Sequence, residues 1–394
     1  MNEDIESFMD KEVMQEIIEW MKILVSTDTT NPPGNEEVLV DKIIRRLSCK
    51  DEDYAKIKHS NGRASLVLSI EGKKKGCLGF MGHLDTVPVN DPVNWVYNPF
   101  SAYTENNIMY GRGTTDMCGG IAAMLTVFRH FMNSEEKPPI GLKFYFTAGE
   151  EADGLGAVYL RENKLLKDVK GIVICEPTAL KLGICESGAI WVKLKSKGKS
   201  CHAAMPWEGA NAIEKGIEIC KTLRTAVVDA CESHELLGGN TFSLTMINGG
   251  VKTNIIPETA EISIDIRTVP SEKVNNHTII QNIDYLIHEY NKTITDSFVD
   301  YEILENRQAI AVDKESEYIE AWDKAIELSG KKPEYTGIRY FTDGSLIIPM
   351  DKKPFVILGP GEPEDCHITD EKINLTQILE AVNIYSNFIH HFDL

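Results

Sequence analysis

The sequence predicts an α/β fold with a small βαββαβ domain inserted into it, on three observations. Short apolar runs alternate with helical patterns through the first half of the chain and again near its end. The pattern changes character between Gly188 and Asn306. The chain's 394 residues also exceed what a single hydrophobic core usually holds.

The opening stretch to about Leu47 has a helical period, broken at DTTNPPGNEE, where Asn31, Pro32, Pro33 and Gly34 make a turn. The runs ASLVLSI, CLGFM, GLKFYFTA, GIVIC and FVILGPG read as strands, with helical patterns such as GGIAAMLTVFRHF between them. From Gly188 the order is a strand at IWVKLKSKG, a helix at NAIEKGIEICKTL, and strands at TFSLTMI and AEISIDIRT. A helix at HTIIQNIDYLIHEY and a last strand at FVDYEIL complete it. That order is the split βαβ unit. The expected division is therefore a larger domain over 1–187 and 307–394 with an insertion over 188–306.

Forty-two per cent hydrophobic and 26% charged residues mark an ordinary globular chain, and a net charge of -19 disfavours nucleic acid or an anionic membrane as partner. The acidic start, MNEDIESFMDKEV, lacks the order of a signal peptide, and no apolar run reaches membrane-spanning length, so a cytoplasmic location is expected. Nine cysteines without a C-x-x-C pair argue against a disulfide framework or a thiolate zinc site; most read as reduced core residues.

The chemistry lies in where acids and imidazoles fall relative to strands. His83 and Asp85 follow CLGFM, Glu150 and Glu151 follow GLKFYFTA, Glu176 follows GIVIC, and His367 follows the loop after FVIL. Ligands of open α/β sheets bind at the carboxyl ends of strands, so four strand ends bring metal-type side chains to one edge. Asp116, in GRGTTDMCGG before a helix, joins them, although alone it also reads as a helix N-cap. Two imidazoles with several carboxylates and no thiolate suit zinc, cobalt or manganese better than calcium. If Asp116 bridges, two ions about 3.5–4 Å apart share the set.

Asp85, two residues beyond His83, is placed to accept the second ring N–H of that histidine and fix its tautomer. Glu150 and Glu151 are adjacent and point apart on extended backbone, so one binds metal and the other is free to act as general base. Each residue taken singly has a plainer reading, as a core histidine, a solvated acid or a turn residue; joint placement on successive strand ends outweighs it. SHELLGG lacks a second histidine four residues after His234, GRGTTD lacks the third glycine of a dinucleotide loop, and no P-loop or G-x-S-x-G occurs.

The stretches GHLDTVP, YGRGTTDMCGG, TAGEEADGLGA, CEPT, GKSCHAAMPWEGANAI, TNIIPE, DIRTVP and GPGEPEDCHITDEKI resemble the M20 family of metallopeptidases and deacylases. That family includes acetylornithine deacetylase, succinyl-diaminopimelate desuccinylase, aminoacylase and carboxypeptidase G. The resemblance runs over nearly the whole chain. It implies a mixed-sheet zinc-hydrolase catalytic domain with an inserted ferredoxin-like dimerisation, or lid, domain, and a homodimer formed through that insertion.

By the same resemblance His83, Asp116 and Glu176 hold one zinc and Asp116, Glu151 and His367 the other, with Co2+ or Mn2+ as alternatives. Glu150 becomes the base that takes a proton from the bridging water, and Asp85 the orienting partner of His83. His202, which its own context marks as a surface residue, is implied to stabilise the oxyanion from the partner subunit. Arg267 and Asn254 are implied to grip the substrate carboxylate, a role suited to a guanidinium fork, although Arg267 also reads as a solvated strand residue.

Three departures from the family pattern limit what the resemblance carries over, the first in the loop of Asp116 and the other two toward the substrate. Cys118 stands where the family usually has lysine, Ser345 stands where desuccinylases often have arginine, and the GPGEPEDCH loop is closer to the acetylornithine deacetylase and carboxypeptidase types. The expected activity is cleavage of an N-acyl amino acid. A dipeptidase or carboxypeptidase acting on a short peptide is the alternative, and a non-catalytic metal- or amino-acid-binding relative the rival from another class.

Overall fold

The computed structural model describes residues 2–48, 50–230 and 233–392. The chain folds into two compact units: Met1–Ile184 with Val312–Thr336 and Thr342–Leu394, and Cys185–Ala311 with Gly337–Phe341.

The first unit is built on a mixed sheet. Its strands lie in the order Tyr54–Ser60, Arg63–Ile70, Ile140–Thr147, Lys74–His83, Val169–Ile174, Phe355–Ile357 and Leu182–Glu186. Lys74–His83 runs parallel to both Ile140–Thr147 and Val169–Ile174, and Phe355–Ile357 continues the parallel set. These strands are covered on both faces, which is why they read as nearly unbroken apolar runs. The helices Asn2–Val25, Gly119–Met132, Glu317–Leu328 and Leu375–His391 belong to this unit, and Trp322 stacks on Phe388 at 3.7 Å between ring centres.

The connections decide where a ligand can sit. From Lys74–His83 the chain passes through a helix to Ile140–Thr147 on one side, then through the helix Leu155–Glu162 to Val169–Ile174 on the other. Strand order reverses beside His83, and the crevice of a doubly wound sheet opens at the carboxyl ends where it does so. The register puts His83 opposite Thr147 and Met81 opposite Ile174, so the first two strands end level and Val169–Ile174 stops two residues short of them.

The second unit has the βαββαβ order read from the pattern. An antiparallel sheet, Thr241–Gly249, Thr259–Thr268, Gly188–Lys197, Phe298–Arg307, carries the helices Ala212–Val228 and Asn276–Thr293. Strict alternation along Thr259–Thr268 turns Ile262, Ile264 and Ile266 into a core with Ile219, Leu223, Ile279 and Ile283. Ser263, Asp265 and Arg267 take the opposite face.

Among the described residues no helix is long and apolar enough to cross a membrane. Seven described cysteines are free; Cys118, Cys175, Cys185 and Cys220 are buried, while Cys77, Cys201 and Cys366 are half-buried. Cys49 and Cys231 lie outside the described residues.

Candidate metal centre

His83 ends its strand with its side chain buried, and Glu176 follows the neighbouring parallel strand. The Nε2 atom of His83 lies 2.9 Å from Asp116 Oδ1 and 3.6 Å from Glu176 Oε1. His367, at positive φ after the last parallel strand, places its Nε2 3.1 Å from Asp116 Oδ2 and 3.0 Å from Glu151 Oε1. Asp116 thus turns one oxygen toward each imidazole, and two three-residue groups share it. Candidate donor atoms of His83, Asp116 and Glu151 all lie within 4.8 Å of one another.

The donor set fits small divalent cations. Nitrogen and carboxylate oxygen converge without a thiolate, since burial pushes the nearby Cys118 thiol up to about 12 and keeps it protonated. The ring of His83 is oriented as a ligand requires: Nδ1 donates to the Asp85 backbone carbonyl at 2.9 Å, leaving Nε2 to face the acids.

Burial and charge crowding together set the electrostatics. Burial is the largest influence on Glu150, Glu151 and Glu176 and raises all three carboxyls; neighbouring carboxylates add to it and His83 opposes it. Burial also disfavours a proton on His83, but Glu176 and Asp116 outweigh it and hold the imidazole well above its ordinary value. His367, more exposed, is raised to about 10 by its bonds to Asp116 and Glu151. Such mutual repulsion among acids is what a bound divalent cation relieves.

Asp85 departs from the sequence expectation. Its carboxylate stays 3.8 Å from His83 Nδ1, and the backbone carbonyl makes the orienting bond instead. The carboxylate gathers three successive amides, those of Gly149, Glu150 and Glu151, at 2.9, 3.1 and 3.2 Å, and the Asn31 side-chain amide at 2.8 Å. Three N–H groups converging from a turn form a nest for an anion, a stronger claim on a buried carboxylate than one imidazole edge.

His202, Asn254 and Arg267 lie in the second unit. His202 is exposed, and its Nδ1 accepts from the Ala204 amide at 3.0 Å. Asn254 is brought beside it, its carbonyl accepting from the Ala203 amide at 3.0 Å. Arg267 faces away from the isoleucine core as expected, but its fork is already closed on Asp265, at 2.8 and 3.0 Å, with Phe341 stacked beneath the guanidinium. Ser345, which marks the departure from desuccinylases, is buried and donates to the Thr342 carbonyl at 2.8 Å.

Sequence reasoning missed the residues that hold the loops. Glu371 is wholly buried and accepts four hydrogen bonds from the Asp116 loop, and burial pushes its carboxyl up to about 7 against the pull of Arg112. Glu36 and Arg63 form a buried pair at 2.7 Å beneath the Gly149 turn, where a β-carbon on Gly149 would stand 2.8 Å from Arg63 Nη2. Glu371 lies within GPGEPEDCHITDEKI, one of the stretches that carry the resemblance, but its own spacing did not mark it as the anchor of a distant loop.

A cluster of two imidazoles and buried carboxylates at the switch point of a doubly wound sheet, with a separate βαββαβ unit, defines a metallohydrolase. The chain belongs to peptidase family M20/M25/M40, whose model matches residues 79–391, and it is a metal-dependent hydrolase of C–N bonds. It is 26% identical over 408 residues to a protein of Staphylococcus aureus (strain MSSA476) described as probable succinyl-diaminopimelate desuccinylase, spanning 96% of this chain and 97% of that one. The fold matches that of aminopeptidase PepT from Bacillus cereus at a TM-score of 0.77 and 18% identity, over 96% of this chain and 98% of that one. A dinuclear metal binding peptidase of the M20 family from Bacillus subtilis matches at a TM-score of 0.73 and 15% identity, over 97% and 100%.

Proposed function

We propose that this metallohydrolase cleaves the amide bond of an N-acyl amino acid with two divalent cations, zinc first and cobalt or manganese as alternatives. His83, Asp116 and Glu176 would hold one cation, and Asp116, Glu151 and His367 the other. The observation that carries the reading is Asp116, one carboxylate turned toward both imidazoles at 2.9 and 3.1 Å. Two cations there supply Lewis acidity toward a carbonyl oxygen and make water acidic enough to lose a proton near neutrality.

Glu150 is the group that takes that proton and returns it to the departing amine. Burial and its acidic neighbours raise its carboxyl, bringing it closer to the working pH of a general acid and base. Asp85 supports it indirectly, fixing the Glu150 amide and the ring of His83. His202 serves as oxyanion donor: with Nδ1 accepting from Ala204, the ring proton belongs on Nε2, the nitrogen free to donate.

A homodimer through the second unit, with His202 acting on the partner's substrate, belongs to the same proposal. Leu244, Met246 and Ile247 on the edge strand Thr241–Gly249 are 43, 70 and 54% exposed, and an apolar sheet edge of this kind pairs readily with another chain. Arg267 and Asn254 complete the proposal as carboxylate-binding groups, Arg267 with the part of its guanidinium that Asp265 leaves open.

Desuccinylase likeness over the whole chain supports the deacylase reading, and likeness of fold to an aminopeptidase supports peptidase action as the second. The test is amine release by the zinc- or cobalt-loaded protein across N-acetyl, N-succinyl and N-formyl amino acids beside matched dipeptides, with Glu150→Gln as blank. Hydrolysis confined to the acyl amino acids supports the deacylase; preference for dipeptides replaces it with a peptidase.

A further inference from the structure

Two of the three segments that carry acids of the centre, those of Asp116 and of Glu150 and Glu151, are each fastened by one buried carboxylate, and each such carboxylate comes from the loop of a histidine. Asp85, two residues after His83, holds the amides of Gly149, Glu150 and Glu151. Glu371, four residues after His367, does the same for the loop of Asp116. Its Oε2 accepts from Arg112 Nη1 at 2.6 Å and from the Gly113 amide at 2.9 Å. Its Oε1 accepts from the amides of Thr115 and Asp116 at 2.9 and 3.1 Å. Every lone pair that points inward is used, and the side chain has no exposed surface.

Local structure explains how Glu371 reaches a loop some 255 residues away in sequence. The strand Lys372–Asn374 pairs antiparallel with Ile108–Tyr110, Lys372 opposite Tyr110, so Glu371 is laid beside Gly111. The Gly111 amide donates to the Glu371 carbonyl at 2.9 Å, and the Thr115 hydroxyl donates to the Lys372 carbonyl at 2.6 Å. Gly113 takes positive φ, 79°, in the turn that brings its amide and those of Thr115 and Asp116 toward one point, while the Thr114 amide donates to the Gly111 carbonyl. Arg112, also buried, closes the far side of the carboxylate against the ring of Trp95.

We propose that Glu371 is a positioning residue of the dimetal centre. Its carboxylate fixes the backbone at Asp116 so that the two oxygens of Asp116 are divided between the halves containing His83 and His367. This rests on the reading of Asp116 as the bridging ligand. Because His367 and Glu371 share one loop, an imidazole and the acid it faces are set by a single segment: His367 meets Asp116 Oδ2 while Glu371 holds the Asp116 amide. Groups that hold metal ligands in place govern affinity because they remove the freedom the ligands would otherwise lose on binding.

The test is titration of the metal-free full-length protein with Zn2+ by calorimetry and with Co2+ by visible absorption, for wild type, Glu371→Gln and Asp116→Ala. Glutamine keeps the size of Glu371 but replaces one acceptor oxygen with a donor that faces other donors. The expected result for Glu371→Gln is about a 10- to 100-fold loss of affinity at one or both sites, with a changed Co2+ spectrum. Two cations bound with wild-type affinity and spectrum, whatever the melting temperature, would overturn the proposal and leave Glu371 a residue of stability alone. Wild-type affinity in Asp116→Ala would instead overturn the metal-centre reading itself. If Glu371→Gln does not fold, Glu371→Asp decides, since it keeps the charge and withdraws the carboxylate by one methylene from the amides of Gly113, Thr115 and Asp116: a several-fold loss of affinity supports the proposal and unchanged binding refutes it.

Discussion

Replacing Gly120 with alanine should cost the protein both stability and metal affinity. Gly120 is the second residue of the helix Gly119–Met132, and a β-carbon built on it stands 2.1 Å from the Cys175 carbonyl oxygen. Contacts under 3.0 Å do not persist, so helix and strand end must part by about 1 Å, and backbone cannot rotate away as a side chain can. Alanine gains about 1 kcal/mol of helix propensity over glycine. Overpacking a rigid site costs about 3 kcal/mol at the upper end of its usual range. The net is about 2 kcal/mol of destabilisation, or about 4–8 °C in a unit of this size.

The displaced group matters as much as the energy. Cys175 precedes Glu176 and is pinned from the other side as well, since a β-carbon at Gly359 would meet the same carbonyl at 2.3 Å. A shift there moves Glu176 away from His83, so Zn2+ affinity should fall with the melting temperature. Gly119→Ala is the control: its β-carbon would meet the Ile373 Cδ1 at 2.3 Å, a side-chain end that can turn, and its net change should stay within about 1 kcal/mol. Thermal unfolding with and without Zn2+ reads both variants. Gly120→Ala melting at or above wild type, with unchanged affinity, would refute the packing argument.

Other predictions follow from the same geometry. Glu150→Gln should keep its cations and lose about 100- to 10,000-fold in kcat, whereas near wild-type turnover would remove Glu150 from proton transfer. Zn2+ at about 100 times its dissociation constant should stabilise the metal-free protein by about 2.7 kcal/mol, and Asp116→Ala should abolish the shift; a melting curve blind to zinc and to chelator would count against the centre. Arg63→Met leaves Glu36, whose side chain has no exposed surface, buried without its guanidinium, and should cost about 3–5 kcal/mol by urea unfolding. A loss below about 1 kcal/mol in that variant would show the pair to be better solvated than its burial implies.

How much of this was legible follows from what each inference needed. Periodicity marked the strands CLGFM, GLKFYFTA and GIVIC, and ligands of such sheets gather at carboxyl ends, so His83, the pair Glu150 and Glu151, and Glu176 could be placed on one edge without coordinates. Alternation in AEISIDIRT likewise fixed which face of the small sheet would be core. Asp85 was noticed for its position, yet its carboxylate serves the amides of residues 149–151 and not the ring of His83. Arg267 was read as open to a ligand, and Asp265, two residues away on the same face, already occupies its fork.

The sequence by itself determined the α/β class, the βαββαβ unit and the edge to which the imidazoles and acids come, because strand period and strand ends are local properties of the chain. Only the tertiary structure decided which donor each buried carboxylate meets. Asp85 finds its amides 64 to 66 residues away, Glu371 finds its partners 255 to 259 residues away, and Glu36 is met by Arg63 across 27. A buried carboxylate takes the set of N–H groups that best replaces water, and that set exists only once distant loops have been folded against one another.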